Sequence, residues 1–204
     1  IERDGLRTDV RWEDVLIARA PAREEWEGKT VAELAEAKAK SPFDTLVDIL
    51  LATEGDVASI SFQISEENLR LALSRPWMTI GSDGSSLAPY GILGKGRNHP
   101  RNYGTFPRIL GHYVREEMVL RLEEAVHKMT GLAAEKLGLK DRGFIRRGMK
   151  ADVVLFHPDK VIDKATYMDP YQYPEGIEYV LVNGQVVIRQ GEHTGARPGQ
   201  ILTQ

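Results

Sequence analysis

Cysteine is absent from all 204 residues. That excludes disulfides and thiol nucleophiles within the chain, and it fits a cytoplasmic setting. Long apolar runs are also missing. No stretch approaches the ~20 residues that span a bilayer, so a membrane is not an expected partner. No secretory leader is expected from the start, where Glu2, Arg3 and Asp4 stand in place of an apolar stretch. Neither sign of charge dominates. The 27 Lys and Arg and 30 Asp and Glu leave a formal net charge of −3, which gives nucleic acid or anionic lipid no electrostatic handle. His99, His112, His127, His157 and His193 show neither His-x-His nor His-Glu-x-x-His spacing. They do not make a metal site by themselves.

Apolar residues make up 42% of the chain, enough for a sizeable core. They follow two rhythms. Before residue 141 strand-like and helix-like stretches alternate. Val15–Ala18 reads as a buried strand and Thr30 to about Lys40 as a helix, with Thr30 and Glu33 as a capping-box pair and Val31, Leu34 and Ala35 on one face. A second helix is expected from Phe43 to Thr53, striped by Leu46, Ile49 and Leu50. A strand from Val57 to Ile64 follows, then a helix N-capped by Ser65 and ending before Pro76. Trp77–Ser82 reads as the next strand. This alternation predicts α/β architecture with a parallel sheet. Further on, Arg115 to Met129 reads as one helix with Met118, Leu122, Val126 and Met129 on a face.

From Gly143 the runs become short and β-rich: Asp152–Phe156, Ile177–Val182 and Gln185–Arg189. Val182–Asn183–Gly184–Gln185 between two of them predicts a hairpin, since Asn-Gly tolerates the positive φ angles of a type I′ turn. The domain boundary is therefore placed near Asp141, giving units 1–140 and 141–204. No internal repeat or low-complexity tract is present.

The chemistry concentrates in Met78–Thr79–Ile80–Gly81–Ser82–Asp83–Gly84, an apolar run that ends on a carboxylate between glycines. An aspartate at the carboxyl end of a barrel strand sits where α/β barrels build active sites. The plain alternative is a strand followed by a turn that Asp83 caps. Downstream, His99–Pro100–Arg101–Asn102–Tyr103–Gly104–Thr105–Phe106–Pro107–Arg108–Ile109–Leu110–Gly111 is dense in Arg, His, Tyr and Gly and reads as a loop. Arg101, Tyr103 and Arg108 either close a pocket mouth or tie that loop down by hydrogen bonds. Of the histidines, His99 alone lies near this region. Arg19, at the end of the first strand, is either a bidentate grip for a carboxylate or a surface arginine before Pro21.

These stretches, with Met129–Thr130–Gly131–Leu132–Ala133–Ala134 and Gly143–Phe144–Ile145–Arg146–Arg147–Gly148–Met149–Lys150–Ala151–Asp152, resemble the amidohydrolase superfamily. Gly81–Gly84 combined with His99–Gly111 resembles its N-acyl-D-amino-acid deacylases. The resemblance implies the C-terminal part of a metal-dependent hydrolase (β/α)8 TIM barrel over 1–140 and a small β-sandwich tail over 141–204. It implies zinc-dependent hydrolysis of N-acyl-D-amino acids, giving a carboxylate and a D-amino acid. Asp83 would then stand beside zinc as ligand and proton relay, because a metal lowers the pKa of bound water to ~7 and a carboxylate can take and return the proton. Arg19 would meet the substrate carboxylate, and Ser61 and Ile64 its side chain. A smaller residue at Ser61 than in relatives of hydrophobic substrates leaves the preferred side chain open. The remaining zinc ligands would lie in an N-terminal portion or a companion chain, so this chain, which begins at Ile1, is expected to be a piece and inactive by itself. The alternatives are a cyclic-amide hydrolase of the dihydroorotase or hydantoinase type and a non-catalytic fragment that needs a complementary chain.

Overall fold

The computed structural model describes residues 10–202. The chain is mixed α/β and divides into two compact units. The first comprises residues 10–64 with Leu87–His99 and Tyr167–Pro170, and the second Ser65–Ser86, Pro100–Thr166 and the chain from Tyr171.

In the first unit, strand β1 (Val15–Arg19) pairs with β2 (Ala58–Ser61), and helices α1 (Val31–Ala37) and α2 (Pro42–Ala52) lie between them in sequence. Helix α1 starts at the expected capping box. The Glu33 N–H donates to Thr30 Oγ1 at 3.1 Å, and the Thr30 N–H donates to Glu33 Oε2 at 2.7 Å. Two of the first turn's orphan donors are thereby satisfied. Val31, Leu34 and Ala35 are buried as the periodicity predicts, and Ile17, Ala20, Trp26 and Ile49 complete that core. On α2 only part of the stripe is covered. Ile49 is buried, whereas Leu50 is exposed and Thr45 takes a buried place one turn away.

The pairing direction differs from the expected parallel sheet. Val15 lies opposite Ser61 and Leu16 opposite Ile60, an antiparallel ladder. A single crossover helix returns a chain parallel to its first strand. Here two helices intervene, so the chain has reversed once more when β2 begins.

The second unit opens with helix α3 (Glu66–Leu73). The Asn68 N–H donates to Ser65 Oγ at 3.2 Å, the N-cap read from the sequence. The expected strand Trp77–Ser82 is absent. Trp77 lies in a turn closed by the Met78 N–H donating to the Arg75 carbonyl at 3.2 Å, and residues 78–82 find no ladder partner among the described residues, which a strand requires. Met78 and Ile80 instead pack against a core of Leu73, Ile109, Leu110, Tyr113, Leu120, Ala125 and Val161. The Lys128 Nζ donates to the carbonyls of Arg75 and Met78, and the Ile80 N–H donates to the Lys128 carbonyl at 3.3 Å.

The expected loop His99–Gly111 is largely helical. Helix α4 (Arg101–Arg108) runs into a π-helical stretch, Ile109–Glu116. Pro107 has no N–H to donate within α4, and beyond it the spacing widens, with Glu117 N–H donating to the His112 carbonyl at 2.9 Å. The helix predicted over Arg115–Met129 is therefore broken. Met118 adopts a positive φ of 54° and is exposed, and helix α5 (Leu122–Met129) starts afresh, with the Arg121 N–H donating to Glu124 Oε2 at 3.1 Å. Helix α6 (Gly131–Lys136) follows.

The C-terminal part of this unit is an antiparallel sheet ordered β3 (Val153–Phe156), β4 (Ile177–Val182), β5 (Gln185–Arg189) and β6 (Glu192–His193). The hairpin joining β4 to β5 turns on Asn183 and Gly184, both at positive φ, 49° and 80°, as a type I′ turn requires. Arg142 anchors it, paired with Asp152 and donating to Asn183 Oδ1 at 3.1 Å. Val154 and Leu155 on the edge strand β3 are exposed.

Two glycines fix how α4 and the π-helical stretch approach the segment 161–163. A Cβ at Gly104 would stand 2.8 Å from Asp163 Cβ, and one at Gly111 would stand 2.5 Å from both the Val161 carbonyl oxygen and Ile162 Cδ1. Gly111→Ala is expected to destabilise the protein by about 1–3 kcal/mol through this overpacking. Gly199→Ala, which meets nothing within 4 Å, should stay within about 0.5 kcal/mol of the parent. Denaturant titration of the two variants checks the contrast.

Candidate active site

Asp83 is placed by a strained turn. Its own φ is 48°, whereas neither Gly81 nor Gly84 lies in the left-handed region. The conformational demand falls on the aspartate, a residue that tolerates this region better than most. Gly84 serves a different need. A Cβ there would meet Asn102 Oδ1 at 3.1 Å and Asn102 Cα at 3.3 Å. Its absence lets the turn lie against the first turn of α4.

Helix α4 then fastens the turn. Asn102 Oδ1 accepts from the Ser85 N–H at 2.6 Å, and Gly84 N–H donates to Ser82 Oγ at 3.2 Å. Arg101 Nη1 lies 3.0 Å from Asp83 Oδ2. The Asp83 side chain is 84% exposed, so the carboxylate is presented at an open face and not into a closed cavity. The turn thus brings together a carboxylate and a guanidinium whose fork suits a second carboxylate. Asn102 was not singled out from the sequence. Its signal was its place in the first turn after Pro100, where a short amide can cap a neighbouring loop.

Tyr103 and Arg108 point elsewhere. The Tyr103 ring lies 6.0 Å from both Tyr171 and Tyr173, edge to face. Burial, with those two tyrosines beside it, pushes its hydroxyl above the ordinary value. Arg108 reaches Asp163 Oδ2 at 3.4 Å and stacks over Tyr113, 5.7 Å from the ring centre. Tyr113 is buried and donates its hydroxyl to Glu66 Oε2 at 3.0 Å. These side chains tie the helix into the second unit.

Arg19, Ser61 and Ile64 belong to the first unit. Arg19 ends β1 opposite Ala58, whereas Ser61 lies opposite Val15, so the ladder sets those two at opposite ends. Ile64 is 80% exposed beyond β2. The Arg19 guanidinium is engaged by Asp56 in a bidentate fork, Nη1 to Oδ1 at 2.7 Å and Nη2 to Oδ2 at 3.1 Å. His99 stacks edge to face on Tyr167, with ring centres 5.1 Å apart, and Tyr167 also meets Phe62. Among the described residues no three His, Asp or Glu converge as a metal site. Asp83 by itself does not meet the needs of a zinc ion.

The model of the amidohydrolase family matches residues 5–188. The chain belongs to the amidohydrolase family. An N-acyl-D-aspartate deacylase of Alcaligenes xylosoxydans xylosoxydans is 41% identical over 174 residues, 82% of this chain and 33% of the relative. A D-aminoacylase structure, described for the functional role of its binuclear metal centre, superposes with a TM-score of 0.78 at 37% identity, over 89% of this chain and 36% of that one. The N-acyl-D-glutamate deacylase of Bordetella bronchiseptica, complexed with zinc and a phosphonate that mimics the tetrahedral intermediate, superposes with a TM-score of 0.80 at 34% identity, over 93% of this chain and 37% of that one. This amidohydrolase chain spans about a third of the length of the curated relatives it matches.

The Arg19–Asp56 fork has a titration signature. The hydrogen bond from Arg19 holds the Asp56 carboxyl below its ordinary value. A depressed carboxyl stabilises the fold above the ordinary carboxylate range, and that contribution fades as pH falls through the lowered value. Arg19→Leu should move the Asp56 titration upward, into the ordinary carboxylate range. Carboxyl-carbon NMR of the two proteins reads the shift.

Proposed function

We propose that the protein containing this chain hydrolyses the amide bond of N-acyl-D-amino acids, releasing a carboxylate and a D-amino acid. The observation that carries the reading is the Asp83 turn: a carboxylate on a strained backbone with the Arg101 guanidinium 3.0 Å away. Family membership and the activities of the deacylase relatives support it. Asp83 takes a proton as water attacks the amide carbonyl and delivers it to the leaving amine. Arg101, already beside a carboxylate, is a ready grip for the carboxylate of an N-acyl amino acid. Arg19 is a second candidate for that role, and Ser61 and Ile64 remain candidates for side-chain contacts.

Zinc, named with the Bordetella relative, is the metal of this reading. The described residues do not assemble a site for it, so its ligands other than Asp83 come from outside them, and no proton step above is routed through it. Residues 1–140 are read as the later part of a (β/α)8 barrel and 141–204 as a β-rich tail, completed by an N-terminal portion of the same protein or by a companion chain. The exposed Val154 and Leu155 on β3 support a missing neighbour there. The lack of cysteine supports a cytoplasmic location.

In the full-length protein, Asp83→Asn keeps a residue that tolerates positive φ but removes the relay, and kcat should fall by at least about 10²–10⁴. Steady-state kinetics within a few-fold of the parent would remove Asp83 from the mechanism. Matched N-acetyl-D- and N-acetyl-L-amino acids should be turned over unequally, with the D series preferred. Equal turnover, or turnover of cyclic imides only, would favour a cyclic-amide hydrolase.

A further inference from the structure

Lys128 is the one lysine buried among the described residues, 5% exposed in the last turn of α5. Burying an ammonium is unfavourable unless its donors are satisfied. Among the described residues no carboxylate lies within ion-pair reach of it. Its partners are two main-chain carbonyls, those of Arg75 and Met78, the latter at 3.3 Å. Arg75 lies just past the end of α3, and its carbonyl also accepts the Met78 N–H at 3.2 Å, closing a turn. The Lys128 carbonyl in turn accepts the Ile80 N–H at 3.3 Å. Residue 128 therefore fastens positions 75, 78 and 80, the stretch that leads into Gly81–Ser82–Asp83, and that stretch has no strand partner among the described residues.

We propose that Lys128 is a positioning residue for Asp83, fixing through the Arg75 and Met78 carbonyls the segment on which that carboxylate is carried. This rests on the reading of Asp83 as the proton relay. Lys128 does not touch substrate. It sets where the segment begins, while Arg101 and Asn102 fasten its far end. Placement matters because a small displacement of a reacting group is enough to slow a proton transfer.

The test uses the full-length protein carrying Lys128→Met, of similar length but without donors. Hydrogen exchange of peptides covering 76–83 should quicken relative to peptides from α1 and α2. The kcat should fall about 10- to 100-fold, with KM within about threefold, since substrate grip is untouched. In an Asp83→Asn background the same substitution should bring no further loss. Lys128→Arg, which keeps charge and donors, should recover most of kcat. Unchanged exchange over 76–83, or an equal loss with and without Asp83, would overturn the proposal. If Asp83→Asn alone proves active, the proton-relay reading fails, and the exchange measurement still decides the contact. Where Lys128→Met does not fold, Lys128→Leu, also without donors, is held to the same outcomes.

Discussion

The close approach of α4 and its π-helical continuation to residues 161–163 is the constraint on which the second unit turns. It exists because positions 104 and 111 carry no side chain. A methyl group at either would press on main-chain or Cβ atoms that have little room to yield. Once that contact is made, Tyr113 is buried, Arg108 meets Asp163, and the first turn of α4 is held where Arg101 and Asn102 can reach the 83–85 turn. Glycines that read in the sequence as loop punctuation are thus packing residues.

Local signals were legible and non-local ones were not. Thr30 with Glu33, Ser65 as an N-cap, and Asn183–Gly184 each act within a few residues, and each forms as read. The direction of the β1–β2 pairing depends on how many helices intervene and how they fold back, which no short window records. The sequence reads a loop up to Gly111 and one helix from Arg115 to Met129, whereas the π-helical stretch Ile109–Glu116 straddles the two. What ends it is a widened hydrogen-bond register and a left-handed Met118, with neither Gly nor Pro to announce it. The run Trp77–Ser82 has strand composition, but composition cannot supply a partner.

At the site the position of Asp83 was legible because an apolar run ended on a carboxylate between glycines. Its neighbours were less so. Arg101 stood out only as one cation among several in a rich stretch. Asn102 and Lys128 look like ordinary helix residues, and their roles arise from segments 17 and about 50 residues away. Polar side chains that bind main-chain groups of distant segments leave no periodic trace.

The Asp56 fork on Arg19 lies open to solvent, its side chains 61% and 42% exposed. Dissolved ions reach it, and its attraction weakens as ionic strength rises. The grip that joins the end of β1 to the turn before β2 is firm in dilute buffer and slack in concentrated salt, so that end of the ladder answers to the ionic strength of its surroundings.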